Sequence, residues 1–173
     1  MTQKDWTVGI VGGTGMLGRA IAQALLNRGG LTPDRLWISN RSGKAAGCGE
    51  AGDCHLTTRN QTLAEACDVI FLSVPPALVS GLELDAGGKP VISVMAGVSI
   101  DALKASTGTS RVIRAMCSPA AEIGLAYSPW CPSPEATAED HQMATQLFSA
   151  CGVADRVEAE AHIDCFTALT GPV

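Results

Sequence analysis

Short apolar runs alternate with stretches of helical periodicity along the whole chain. Residues 7–11 (Thr-Val-Gly-Ile-Val) predict a buried strand. Residues 16–28 predict a helix with Leu17, Ala20, Ile21, Ala24 and Leu25 on one face. Gly29 and Gly30 stand where helices commonly end in a left-handed residue. Strands follow at 36–39 and, weakly, at 56–57, then a helix over 60–66. The run 69–73 (Val-Ile-Phe-Leu-Ser) carries the clearest strand signal, with β-branched and aromatic content. Pro75-Pro76 predicts the opening of a short helix, because proline suits a first turn. Strands at 91–94 and 111–115 bracket a helix capped by Ser99, with Asp101 in its first turn. A proline-rich stretch (Pro119, Pro129, Pro132, Pro134) leads into a helix over 137–150, a last edge strand at 156–157 and a last helix over 161–169. Residues 41–53, rich in Gly, Ala and polar types, predict a poorly ordered or short helical connection.

Strand–helix–strand alternation with crossovers of this length implies parallel strands joined by right-handed βαβ units. The expected class is α/β: a doubly wound, mostly parallel sheet with helices on both faces. At 173 residues the whole chain, 1–173, is expected to form one domain. Composition agrees, since 46% of residues are hydrophobic and only 4% aromatic, leaving Ala, Val, Leu and Ile to fill the core.

Charge narrows the partners. The net charge is −5 and no Lys/Arg run occurs, which argues against a nucleic-acid surface. No apolar stretch approaches the roughly 20 residues needed to span a bilayer. The polar N-terminus lacks a signal-peptide pattern, so a cytoplasmic location is expected. The seven cysteines (48, 54, 67, 117, 131, 151, 165) form no C-x-x-C pair, and His55, His141 and His162 are scattered. Buried or incidental thiols are expected, and no metal site.

The candidate chemistry lies in Gly12-Gly13-Thr14-Gly15-Met16-Leu17-Gly18, directly after the first strand and at the start of the first helix. Gly13-x-Gly15-x-x-Gly18 fits the dinucleotide fingerprint, in which glycines permit a sharp turn and a pyrophosphate meets main-chain N–H groups at the positive helix end. A ligand-free tight turn would use the same residues, but their place between strand and helix favours binding. Domains that bind NAD usually end the second strand with an acid for the adenine ribose. Here Ser39-Asn40-Arg41-Ser42 stands instead. Arg41 can pair with a 2′-phosphate, and Asn40 and Ser42 can donate to it, so NADP is favoured over NAD. The fold is therefore expected to be of the Rossmann type.

With these residues in view, the chain resembles the pyrroline-5-carboxylate reductase family over nearly its whole length. The matching segments are 8–21, 36–42, 60–74, 91–99, 111–116, 147–152 and 164–171. The deazaflavin-dependent NADP reductases share the Gly-Gly-Thr-Gly turn but match the later segments less well. The resemblance implies NADPH contacts on Gly12, Gly13, Thr14, Gly15, Met16 and Leu17, on Asn40, Arg41 and Ser42, on Asn60, and on Ser73, Val74 and Pro75. It places Met95, Ala96 and Gly97 near the nicotinamide. It also implies hydride transfer to a cyclic imine or similar substrate, within proline biosynthesis, and allows a homodimer.

Three departures bear on activity. Pro75 stands where the family usually has lysine. Met116-Cys117-Ser118-Pro119-Ala120 lacks the Asn and Thr of the family loop. The sequence given closes at Thr170-Gly171-Pro172-Val173, before the helical dimerisation domain that follows in the family. No catalytic residue is identified. Cys117 is expected to be a semi-buried structural thiol, His162 and Asp164 to lie on a solvated helix face, Glu122 to face solvent or a pocket, and Tyr127 and Trp130 to pack. Two readings stand open: an NADPH-dependent reductase, or an NADP-binding module or partner subunit without turnover of its own.

Overall fold

The computed structural model describes residues 5–44 and 54–170. Of the connection expected over 41–53, residues 45–53 lie outside the described residues. The sheet has eight strands: β1 (Val8–Val11), β2 (Leu36–Ser39), β3 (His55–Thr57), β4 (Val69–Leu72), β5 (Val91–Ser93), β6 (Val112–Ala115), β7 (Ala126–Pro132) and β8 (Gly152–Arg156). Their order is β3-β2-β1-β4-β5-β6-β7-β8. The first six are parallel; β7 runs antiparallel to β6, and β8 runs parallel to β7. The helices are α1 (Met16–Asn27), α2 (Asn60–Ala66), α3 (Ile100–Thr107), α4 (Ala138–Ser149) and α5 (Glu160–Thr170). The doubly wound, mostly parallel Rossmann-type sheet is thus the observed architecture.

Both faces of the central strands are buried, which is why they read as unbroken apolar runs. Successive residues of β4 go to opposite layers: Val69 and Phe71 pack with Ile21 and Leu25 of α1 and Phe148 of α4, while Ile70 and Leu72 pack with Leu63 of α2 and Leu103 of α3. Phe71 meets Phe148 edge-on, with ring centroids 5.8 Å apart. Gly9 has no room for a side chain, since a Cβ there would lie 2.3 Å from Leu63 Cδ2. Helix α2 can therefore approach β1 closely.

The helix signals act as expected. Ser99 accepts the N–H of Ala102, and Gly108 closes α3 with φ +67°. Helix α1 ends with Arg28 and Gly29 donating to Ala24, and Gly30 has φ +68°. Pro76 opens a 3₁₀ segment, Pro76–Gly81, rather than an α-helix.

Two strands differ from expectation. Strand β7 occupies the proline-rich stretch, for which no strand is expected. A proline lacks the donor a ladder needs, but Pro129 takes part through its carbonyl, which accepts the N–H of Met116 at 3.0 Å. Strand β8 covers Gly152–Arg156 rather than 156–157. It begins at Gly152, where a Cβ would fall 2.1 Å from the Ala126 carbonyl oxygen. Its Ala and Asp carry little strand propensity, which hid it.

Charged side chains hold the β6 side together. Asp140, only 1% exposed, closes a capping box with Thr137 at the start of α4 and takes both Nε and Nη2 of Arg111, at 2.9 and 2.6 Å. Arg114, 2% exposed, points from β6 toward α5 and pairs with Glu160 at 2.8 Å and with Asp164. Asp164 was expected on a solvated face. It is exposed, and it is also the partner of a buried guanidinium, which the sequence could not reveal because β6 and α5 meet only in the fold. His162 is exposed.

Burial works against ionisation of Asp140, but the Arg111 and Thr137 hydrogen bonds outweigh it and hold the carboxyl below its ordinary 3.8. A folded-state pKa below the unfolded value means this stabilisation is complete well above pH 4 and is lost as pH falls through the folded value. Asp140→Asn should therefore flatten the acid limb of the stability–pH curve. At neutral pH it should cost about 2–3 kcal/mol in denaturant unfolding, less than a fully buried pair because the Arg111 side chain is 33% exposed.

Candidate functional site

The strand order reverses direction between β1 and β4, so the carboxyl ends of these strands splay and leave a crevice between them. A cleft of about 540 Å³ occupies this position. Of the residues expected to contact a dinucleotide, Gly12, Thr14, Gly15, Asn40, Arg41, Ser42, Asn60, Ser73, Val74 and Pro75 line it together. They come from four separate segments, each at or just beyond the end of a strand or the start of a helix.

The floor is Gly12. It has φ +79°, and a Cβ would sit 2.5 Å from the carbonyl oxygen of Ser73 and 2.7 Å from Val74 Cγ1. Its N–H donates to Ser39 at 2.9 Å, while the N–H of Ser73 donates to Val11 at 2.9 Å, so three strand ends are tied at one point. Gly15 is the residue before α1; its N–H closes the turn onto Gly12 at 3.0 Å. No side chain caps α1 and no acid lies in its first turn. The positive end of α1 is thus left without a capping side chain beside the crevice. Gly18 lets the helix close on the turn, since a Cβ there would be 2.6 Å from the Gly12 carbonyl oxygen.

One wall is the end of β2 and the loop that follows. Ser39 Oγ donates to Asn60 Oδ1 at 2.8 Å, and Asn60 Nδ2 donates to the Leu82 carbonyl at 2.6 Å. Asn60 thereby ties β2, α2 and the chain after the 3₁₀ segment together, with its amide engaged on both sides. Asn40 likewise spends its amide inside its own loop: Oδ1 accepts from Ser42 and Gly43, and Nδ2 donates to Lys44. Arg41 is exposed, and among the described residues it has no ion-pair partner. Among the described residues it is the one cation lining the cleft.

The remaining expected residues sit differently. Gly13 packs beneath the turn, where a Cβ would be 2.9 Å from Ile38 Cγ2. Met16 and Leu17 form the first turn of α1, and neither lines the cleft. Met95 is buried in the core, and Ala96 and Gly97 form an exposed turn beyond β5. Cys117 lies in the α1–α4 core layer beside Cys151. The Cys117 thiol contacts the Ser118 carbonyl at 3.7 Å, and that of Cys151 the Leu147 carbonyl at 3.9 Å. Burial pushes the Cys67 thiol up to about 12. Trp130 is buried and Tyr127 packs on Phe166, as packing residues do. Glu122 is exposed.

Six lining residues were not expected: Val11, Ser39, Thr58, Leu78, Gly81 and Leu82. Ser39 carried a readable signal, a polar residue closing an otherwise buried apolar strand. Leu78 and Leu82 carried none, because only the path of the 3₁₀ segment brings them to the crevice. Among the described residues no group of His, Cys, Asp and Glu could hold a metal, and no helix is long and apolar enough to cross a membrane.

Comparison with known proteins bears on this geometry. A sequence-family profile described as "NADP oxidoreductase coenzyme F420-dependent" matches residues 7–97. The pyrroline-5-carboxylate reductase of Glycine max is 30% identical over 174 residues, covering 97% of this chain and 63% of the relative. That of Methanosarcina acetivorans is 32% identical over 178 residues, covering 97% and 64%. The chain thus spans less than two thirds of the length of these curated relatives. A pyrroline-5-carboxylate reductase from Coxiella burnetii has the same fold, with TM-score 0.86 at 24% identity, covering 97% of this chain and 64% of that one. A Plasmodium falciparum pyrroline carboxylate reductase with NADP bound gives TM-score 0.83 at 22% identity, covering 98% and 63%. The chain belongs to the family of NADP oxidoreductases described as coenzyme F420-dependent, and it aligns over nearly its whole length with the N-terminal part of pyrroline-5-carboxylate reductases.

Proposed function

We propose that the chain binds NADP(H) in the β1/β4 crevice and serves as the cofactor half of a reductase of the pyrroline-5-carboxylate type, acting on a cyclic imine or a similar C=N or C=O substrate. The observation that carries this is one cleft lined by the Gly12–Gly15 turn at the uncapped start of α1 and by Arg41, which has no ion-pair partner among the described residues. Bound there, the cofactor would supply the hydride. The cradle fits it: no side chain could stand at Gly12 without striking Ser73. The chain's own part is to hold the pyrophosphate on main-chain N–H groups and to offer Arg41 to a 2′-phosphate, with the ring end directed toward Ala96 and Gly97.

A second reading, an NADP-binding module or partner subunit without turnover of its own, draws on the other end of the crevice. Met95 is buried, Ala96 and Gly97 are exposed, and the space beside Gly97 is open. A substrate pocket there needs a second wall. Oxidation of NADPH on adding pyrroline-5-carboxylate, followed by the loss of absorbance of the reduced nicotinamide, supports the enzyme. NADPH binding without such oxidation supports the module.

Two substitutions test the cleft. Arg41→Ala removes charge-assisted bonds to a phosphate and should weaken NADPH by roughly 10- to 100-fold while barely changing NADH. Equal loss for both in titrations would mean that Arg41 does not read the 2′-phosphate. Gly12→Ala should lower the melting temperature by roughly 5–10 °C, because alanine is strained at this φ and its methyl meets backbone. It should also abolish the rise in melting temperature that NADPH produces.

A further inference from the structure

We propose that Asn40 is a positioning residue for the phosphate end of the cleft, working through its loop rather than by touching the ligand. This rests on the NADP reading above and assigns how that site is organised.

Asn40 is anchored at both ends. Its backbone N–H donates to the Thr57 carbonyl of β3 at 3.2 Å, so the residue is fixed to the sheet. Its side-chain oxygen accepts three hydrogen bonds, from Ser42 N (3.0 Å), Ser42 Oγ (3.1 Å) and Gly43 N (2.6 Å). Its amide nitrogen donates to the Lys44 carbonyl at 2.9 Å, and Lys44 N donates back to Ser42 Oγ at 3.3 Å. One amide thus closes a ring of bonds around residues 41–44. Gly43 accommodates the tight path with φ +64°.

The ring decides which donors remain for an anion. The N–H groups of Ser42 and Gly43 and the Ser42 hydroxyl hydrogen all point at Asn40. They are spent within the loop and do not form a phosphate nest. What the loop presents to the cleft is the Arg41 guanidinium, held between the sheet-fixed Asn40 and the bonded Ser42. Discrimination between a phosphorylated and a free ribose therefore falls on Arg41, and Asn40 sets its position.

The chemistry of the ring also explains the residue type. An aspartate could accept the same three donors, but it could not donate to the Lys44 carbonyl, and it would set a negative charge beside the phosphate. The neutral amide keeps the turn without the repulsion.

The test is the ratio of NADH to NADPH dissociation constants, measured by titration for the wild type and for Asn40→Ala, Asn40→Ser, Ser42→Ala and Arg41→Ala. A merely structural role would shift both cofactors together and leave the ratio alone. Asn40→Ala should cut the ratio about tenfold with NADH changed no more than about twofold. Asn40→Ser keeps a short acceptor for the N–H two residues on, so it should recover part of the ratio; this variant also serves if the alanine form folds poorly. Ser42→Ala should lose only about two- to threefold, far less than Arg41→Ala. An unchanged ratio in Asn40→Ala, or a loss in Ser42→Ala equal to that in Arg41→Ala, overturns the proposal while leaving the cofactor reading intact. A wild-type chain that binds NADH as tightly as NADPH overturns both.

Discussion

Three strand ends converge on one residue without a side chain, and the rest of the structure is arranged around that approach. Gly12 donates to the end of β2, lies against the backbone that leaves β4, and accepts the turn that starts α1. Because its Cβ would fall 2.5 Å from the Ser73 carbonyl oxygen, β1 and β4 come together there only with glycine at that position. The same contact sets where α1 begins and how its uncapped end faces the crevice. Site and fold therefore share one steric requirement, and a change at Gly12 acts on both.

Around that point the molecule divides its labour between apolar and ionic contacts. The six parallel strands are held between two apolar layers by residues that alternate from one face to the other. Toward β6 the bonding changes character: Arg111 and Arg114 reach acids on α4 and α5. Buried ions cost desolvation, and here each guanidinium offsets part of it by meeting a carboxylate that is itself bonded elsewhere, Asp140 to Thr137 and Glu160 to the N–H of Ile100.

What the sequence showed and what it hid follow from how local each determinant is. Strands β1 and β4 were legible because burial on both faces writes itself as continuous apolar runs. The glycine turn was legible because each of its glycines answers a contact within a few residues or just across the crevice. Strand β7 was not, since its prolines argue locally against a ladder that its partners β6 and β8 supply from a distance. The pairing of Arg114 with Asp164 spans 50 positions and leaves no local trace. In the site, the residue types of 40–42 suggested an anion, but the hydrogen bonds that commit Asn40 and Ser42 to each other depend on the three-dimensional path of the loop. Leu78 and Leu82 reach the cleft for the same non-local reason.

Helix α5 differs from the other helices in what it buries. Ile163 is its only fully buried side chain, and its attachment combines the Phe166–Tyr127 ring contact with carboxylates reaching Arg114. A helix that buries so little apolar area opens at a lower free energy than is needed to unfold the sheet. A hierarchy of exchange is the expected consequence, with amides of the buried β1 and β4 outlasting those of α5. Any segment joined beyond α5 would inherit that independence and could reorient without disturbing the crevice.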